Sequence, residues 1–192
     1  YNIEIEYHPL QPFVPEGARL LMLGSFPPSK KRWCMDFFYP NFINDMWRIF
    51  GIVFFDDKEY FIINDKKCFN QKSIVDFLQQ KKIAIYDTAC AVRRTKNTAS
   101  DKDLEIVEKT DVNSMLINMP YCDTIVTTGQ KATDQIVENF SIVQPMVGGY
   151  TEFDYEGRHM RLYRMPRSSR AYPMKIEKKA QYYRHMLSYK NL

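Results

Sequence analysis

The residues best placed to do chemistry lie between Leu20 and Gly51. An apolar run, Leu20-Leu21-Met22-Leu23, stops at Gly24 and gives way to a tight loop, Gly24-Ser25-Phe26-Pro27-Pro28-Ser29. An aromatic and basic segment follows and ends in Asn44-Asp45-Met46-Trp47-Arg48, where a helix-like pattern begins. A buried strand that delivers a stiff loop and one polar amide to a concave site is an active-site plan. Histidine chemistry is poorly supported. His8 precedes the core, His159 falls at an expected hairpin, and His185 lies in the last helical pattern. No Gly-Lys-Ser/Thr follows the Gly24 loop, and GxGxxG, GxSxG and HExxH are all absent. Chemistry in this chain would therefore run on amides, hydroxyls, backbone dipoles and aromatic stacking.

Charge adds a partner class. The 192 residues carry a formal net charge of +4 and a pI of about 8.8, a mild bias towards polyanions. The clusters say more than the total. Lys30-Lys31-Arg32, Arg93-Arg94 with Lys96, and Arg164, Arg167 and Arg170 all fall in or beside loop-like segments. Each alone reads as solvated surface; three near candidate site loops shift the balance towards an anion. Aromatic residues reach 15%, which suits either a large core or a surface that stacks on flat ligands. Cys34, Cys68, Cys90 and Cys122 form no CxxC pair, so neither zinc nor an iron–sulfur cluster has support in the spacing. No secretory signal, membrane-spanning run or lipidation motif is visible. A reduced, cytoplasmic protein with no membrane partner is the expectation.

The elements that would hold these residues alternate. Residues 20–23 read as a central strand, apolar throughout as strands buried on both faces are. A helix is expected over 44–50, ended by Gly51, and another over 72–80 capped by Asn70. Residues 83–86 make a second strand ending at Asp87, and 88–102, polar and basic, a long loop. Asp111 caps a helix through Met115 and Ile117. Residues 124–127 form a third strand stopped by Gly129, followed by a helix over 130–140. Residues 153–155 and 160–163 pair as a hairpin, the second run being the fourth main strand. A turn-rich loop, 166–173, leads to a final helix over 174–190 with Pro173 in its first turn. This is an α/β domain, a single unit over 1–192, with a short, mainly parallel four-stranded sheet and helices on both faces. In such sheets the ligand lies beyond the carboxyl ends of the strands. The loops 24–39, 87–101 and 166–173 leave those ends.

Several of these runs resemble the uracil-DNA glycosylase superfamily, nearest the branch of mismatch-specific and hypoxanthine-DNA glycosylases. Leu23-Gly24-Ser25-Phe26-Pro27 matches that branch's LGSFP. Tyr39 to Trp47 follows its YYAHPxNxFW with an insertion before Asn44. Ile125-Val126-Thr127-Thr128-Gly129-Gln130-Lys131-Ala132 is similar to a strand ending in NG(x)KA, and Met165-Pro166-Arg167-Ser168-Ser169-Arg170-Ala171 to LPSTSPA. Ile85-Tyr86-Asp87 resembles the family strand between them. The matches run in order from Leu20 to Leu187.

The resemblance implies a three-layer α/β/α sandwich and hydrolysis of the N-glycosidic bond of a damaged base in DNA. The base, uracil or hypoxanthine, must leave the helix stack to be reached. DNA containing a damaged or mismatched base is the implied partner, a monomer the implied state, and no cofactor or metal is needed. Asn44 becomes the catalytic amide, orienting water towards the sugar C1′, although Asn is also a favoured helix cap and that reading stays open. Gly24, Ser25, Phe26 and Pro27 would pass under the base, with N–H groups of Ser25 or Phe26 facing a base oxygen. Phe38 or Tyr39 would stack on it. Pro166, Arg167, Ser168, Ser169 and Arg170 form the DNA-inserting loop, and Lys30, Lys31, Arg32, Arg93 and Arg94 contact phosphates. Asp87 is expected as a structural hydrogen-bonder. This chain departs from the pattern at Thr128, where Asn reads the base edge in relatives, and at Arg167 and Arg170, where Ser and Pro are usual. These departures also fit an inactive homologue that binds DNA or lesions. A hydrolase of free nucleosides or nucleotides is a further alternative, one that would not need the basic loop.

Overall fold

A computed structural model of the protein describes residues 3–96 and 101–192. Its centre is a mixed sheet of five strands: β2 (Leu20–Gly24), β5 (Ile83–Asp87), β8 (Thr124–Thr128), β9 (Tyr150–Tyr155) and β10 (Arg158–Met165). Their spatial order is β5-β2-β8-β10-β9. The first four are mutually parallel, and β9 pairs antiparallel with β10 through the turn at Glu156-Gly157. The expected four-stranded sheet is thus one strand short. The predicted hairpin forms, and its first arm adds an antiparallel edge strand that carries alternating exposure, as a half-solvated strand should. Strands β2, β5 and β8 are buried at every residue. Because successive side chains point to opposite faces, both faces of the sheet must be covered.

Five α-helices provide that cover: α1 (Met46–Phe55), α2 (Gln71–Lys81), α3 (Val112–Ile117), α4 (Gln130–Phe140) and α5 (Ile176–Lys190). Asn70 and Asp111 cap α2 and α3 as expected, accepting from the N–H of Ser73 and Ser114. Helix α1 runs a turn past Gly51. The glycine serves a close approach instead: a β-carbon there would collide with the carbonyl oxygen of Asp57, where the chain folds back after the helix. Helix α5 begins two residues later than expected, because Tyr172 and Met174 close a tight turn that leaves Pro173 outside it. A short hairpin, β3 (Ile62–Ile63) with β4 (Cys68–Phe69), occupies the stretch before α2.

The expected loop after Asp87 is the larger correction. After Thr88 the chain turns directly into β6 (Ala89–Arg94), the middle strand of a second, antiparallel sheet between β1 (Ile5–Tyr7) and β7 (Leu104–Lys109). Ala89, Val92 and Leu104 bury with Phe26 in a small satellite core, so the apolar half of this strand is held by a residue of the Gly24 loop. The polar and basic run from which a loop is expected is the strand's solvent side and its continuation. Residues 97–100 of that expected loop lie outside the described residues.

Candidate functional site

The carboxyl ends of β2, β5, β8 and β10 surround a cleft of about 230 Å³, several times the roughly 30 Å³ that one water occupies in the liquid. Its walls bring together residues far apart in the chain: Gly24 to Pro28, Phe38 to Asn41, Asn44, Asp87, Thr128 and the Arg167 to Ala171 segment. All of the base-side candidates converge here, as do Asn44, Arg32 and the 167–170 part of the second loop.

Gly24 ends β2 at the cleft floor. A β-carbon on it would stand 2.8 Å from Asp87 Oδ1, 3.3 Å from the Tyr39 hydroxyl and 3.7 Å from Thr128 Oγ1. Glycine is required by this crowding of polar atoms. The Tyr39 and Thr128 hydroxyls are 3.4 Å apart. Tyr39 is held at φ 51°, in the left-handed region, a conformation that costs a bulky residue of order 1–3 kcal/mol. Its ring stands edge-on to Trp47, whose indole N–H donates to the Phe38 carbonyl. Phe38 is buried and packs edge-on against Phe37, so most of its ring belongs to the core.

Asn44 sits where the first loop enters α1. Its Oδ1 accepts the Met46 N–H at 2.9 Å, a turn closed by its own side chain, while Asp45 occupies the cap position without a side-chain cap bond. The structure therefore gives Asn44 a share of the capping role and leaves its Nδ2 donor and a second Oδ1 lone pair for other partners. Its backbone forms an isolated antiparallel bridge with Ser169, and the Asp45 N–H donates to the Ser168 carbonyl at 2.8 Å. These bonds join the 166–171 loop to the entrance of α1. Behind them Lys179, fully buried on α5, donates to the Ser169 carbonyl at 2.9 Å and to Asp45 Oδ2 at 3.4 Å. Arg170 reaches the other Asp45 oxygen at 3.4 Å. Arg48 donates to the Phe42 and Asn44 carbonyls from over the Phe42 ring. Burial, and then the Arg170 charge, lower the Arg48 pKa.

The basic candidates divide. Arg32 and Arg167 to Arg170 line the cleft, and the buried Nε of Arg32 has no hydrogen-bond partner. Lys30 and Lys31 lie on the short 3-10 turn beside it; Lys30 pairs with Asp36 and covers the Trp33 ring. Pro166 stands behind the loop and takes the Tyr183 hydroxyl on its carbonyl. Arg93 and Arg94 are not part of the cleft. They lie on β6, where Arg93 pairs with Glu105 and the largely buried Arg94 binds Glu6 through two nitrogens and donates to the Pro27 carbonyl at 3.1 Å. Arg94 anchors the end of the Gly24 loop from outside.

Asp87, expected as a structural hydrogen-bonder at a strand end, reaches the cleft floor. Sequence reasoning missed two features. His8, 79 residues away, pairs with Asp87 and gave no local sign. Asn41, also on the cleft wall, was passed over for Asn44. Among the described residues no group of acidic, cysteine or histidine side chains could hold a metal ion, and no helix is long and apolar enough to cross a membrane.

No family model matches the chain, and no curated protein matches it. Among solved structures it is similar to an NMR structure described as a putative uracil DNA glycosylase from Methanosarcina acetivorans, with a TM-score of 0.61 and 18% identity. The match covers 96% of this chain and 99% of that one, and the likeness is one of fold.

Proposed function

We propose that this protein is a monofunctional DNA glycosylase that removes a deaminated base, uracil or hypoxanthine, flipped out of DNA. The observation that carries the reading is the Asn44–Ser169 bridge, which ties the amide-bearing loop and the basic 166–170 loop into one cleft over Gly24. The fold likeness supports it. On this reading the flipped base enters over Gly24 and stacks beside Tyr39 at the wall that Phe38 also lines. Asn44 orients a water towards the sugar C1′. As the glycosidic bond breaks, its electron pair leaves with the base, the water oxygen bonds to an oxocarbenium-like C1′, and the proton it sheds passes through solvent to the departing base anion. An amide is a weak base, so most of the acceleration falls to binding and to fixed dipoles around the cleft. Arg167, Arg170 and Arg32 meet the phosphates flanking the flipped nucleotide.

The test is base release from oligonucleotides that carry one uracil or one hypoxanthine, in single-stranded, matched and mismatched contexts. Strand scission at the resulting abasic site on treatment with hot alkali, strongly reduced in Asn44→Ala, is the expected result. A second reading has an observation in its favour: the Met46 N–H already occupies Asn44 Oδ1, which fits a homologue that binds DNA without cleaving the base. No release from any substrate, with salt-sensitive DNA binding intact, would select that reading. Release from free nucleosides in place of DNA would sink both.

A further inference from the structure

The cleft floor contains a carboxylate whose direction is fixed from behind. Asp87 Oδ2 lies 2.7 Å from His8 Nε2, with side-chain exposures of 9% for Asp87 and 2% for His8. The Leu10 N–H donates to His8 Nδ1 at 3.1 Å. Nδ1 is thus the acceptor of the ring, and Nε2 carries the proton that Asp87 Oδ2 accepts. The imidazole cannot swing away. It stacks on Tyr86 with centroids 4.6 Å apart, meets Phe26 edge-on at 5.2 Å and Phe38 at 5.9 Å. With Oδ2 committed to His8, Oδ1 is the Asp87 oxygen set over Gly24, beside the Tyr39 and Thr128 hydroxyls.

A carboxylate only accepts hydrogen bonds, whereas a hydroxyl both donates and accepts. The floor therefore has a fixed polarity: one obligate acceptor beside a hydrogen-bonded pair of hydroxyls. We infer that Asp87, oriented by His8, is the residue that separates a deaminated base from the amino base it derives from, by accepting a ring N–H that stands next to a carbonyl. This rests on the glycosylase reading above and deepens it. Uracil N3–H beside O4 and hypoxanthine N1–H beside O6 present that pattern. Cytosine and adenine present a lone pair where the N–H would be, and a carboxylate against a lone pair is repulsive. The selection that an Asn at the Thr128 position would supply is provided from the opposite side of β2.

The variant Asp87→Asn makes a sharp test because its polarity is dictated. His8 Nε2–H still needs an acceptor, so the new carbonyl oxygen must face His8 and the NH2 group must face the cleft. An obligate acceptor becomes an obligate donor at unchanged shape. The experiment measures base release under single turnover from single-stranded oligonucleotides, uracil against cytosine and hypoxanthine against adenine, for the unaltered protein and for Asp87→Asn. The expected result is preference for the N–H bases in the unaltered protein, with both ratios falling roughly ten- to hundred-fold in the variant. Unchanged ratios would overturn the inference while leaving the glycosylase reading standing. If the unaltered protein releases no base, that reading fails first, and the same ratios are taken as affinities for the oligonucleotides. A uracil preference erased in Asp87→Asn then sustains the inference; equal binding of uracil and cytosine strands refutes it. If Asp87→Asn shows no thermal unfolding transition, the unaltered protein is tested on 3-methyluracil, which lacks the N–H. Release equal to that from uracil would show that no ring N–H is read, and loss of release would sustain the inference.

Discussion

The two ends of the central sheet hold similar residue types and use them in opposite ways. At the amino end Arg158, Lys190, Asp123 and Arg19 close the structure. Arg158 donates to the carbonyls of Leu116, Met119 and Cys122, the last turn of α3 and the bend after it. Lys190, at the end of α5, binds Asp123, and Arg19 donates to the Lys190 carbonyl. At the carboxyl end the bonds are made behind the surface and polar atoms are turned outward. His8 holds Asp87 from beneath, Lys179 holds Asp45 and Ser169 from beneath, and Asp87, Thr128, Asn44 and Arg32 face a common cleft. The strained Tyr39 is at this end too. Polarity alone does not mark a site. What marks it is polar groups braced on one side and presented on the other.

The comparison breaks most severely at Asn44. If the carboxyl end is catalytic, Asn44→Ala should lower the single-turnover rate of base release by about 10²- to 10³-fold, the usual cost of losing one oriented polar group. Because Oδ1 also accepts the Met46 N–H, the variant should lose about 1 kcal/mol of stability as well. A rate unchanged beyond what that destabilisation explains would place Asn44 with the structural bonds of the other end.

The bracing itself is tested at Lys179. Its ammonium is buried with Asp45, and Lys179→Met removes the charge while keeping much of the volume. Asp45 keeps the half-exposed Arg170 as its ion-pair partner and the charge of Arg48 nearby. Loss of one member of a buried pair costs about 3–5 kcal/mol, with the remaining Arg170 contact placing this case near the lower value. Chemical denaturation should show the loss, and proteolysis should open the 166–171 loop first. A variant as stable as the parent would mean that the loop is held by its backbone bonds alone.

At Gly24 the effect is smaller and local. In Gly24→Ala the methyl would meet Asp87 Oδ1 at 2.8 Å. Displacing a carboxylate pinned by His8 should cost about 1–3 kcal/mol, in line with other overpacked positions. Base release should fall more than stability does, because the polar atoms that move, Asp87 Oδ1 and the Tyr39 hydroxyl, are those of the cleft floor. Equal losses in both would count against a functional floor.

What the sequence made legible follows the range over which each signal acts. Helices α2, α3 and α4 were readable because their caps and apolar faces lie within a dozen residues. The parallel strands were readable because burial on both faces leaves an uninterrupted apolar run. The Gly24 loop, Asn44 and the 166–170 segment could be named as one site through the ordered motifs. Strand β6 was not readable: its register is set by β1 and β7, and its apolar side is covered by Phe26, none of which is local. The same reason hid the bracing. His8 meets Asp87, Lys179 meets Asp45, and Arg94 meets Pro27 only once the sheet has closed.

The smallest expected effect is at the other end of the sheet, and it has a defined pH sign. Burial works to raise the Asp123 pKa, but its bonds to Lys190 and Thr124 and the charges of Lys190 and Arg19 outweigh burial and bring it below the ordinary carboxylate value of 3.8. A carboxyl group whose folded pKa is depressed contributes stability that is present above its unfolded pKa and is lost as pH falls through the folded one. The Asp123 contribution should thus be complete at neutral pH, shrink as pH falls below about 4, and be gone only below the folded pKa. Its side chain is 51% exposed, so solvent screening limits the pair to about 1 kcal/mol or less. Asp123→Asn should lower the melting temperature slightly at pH 7 and by less at pH 3, with base release unchanged at either. A change in base release without a change in melting would mean that the amino end reaches the cleft, and the division between the two ends would not hold.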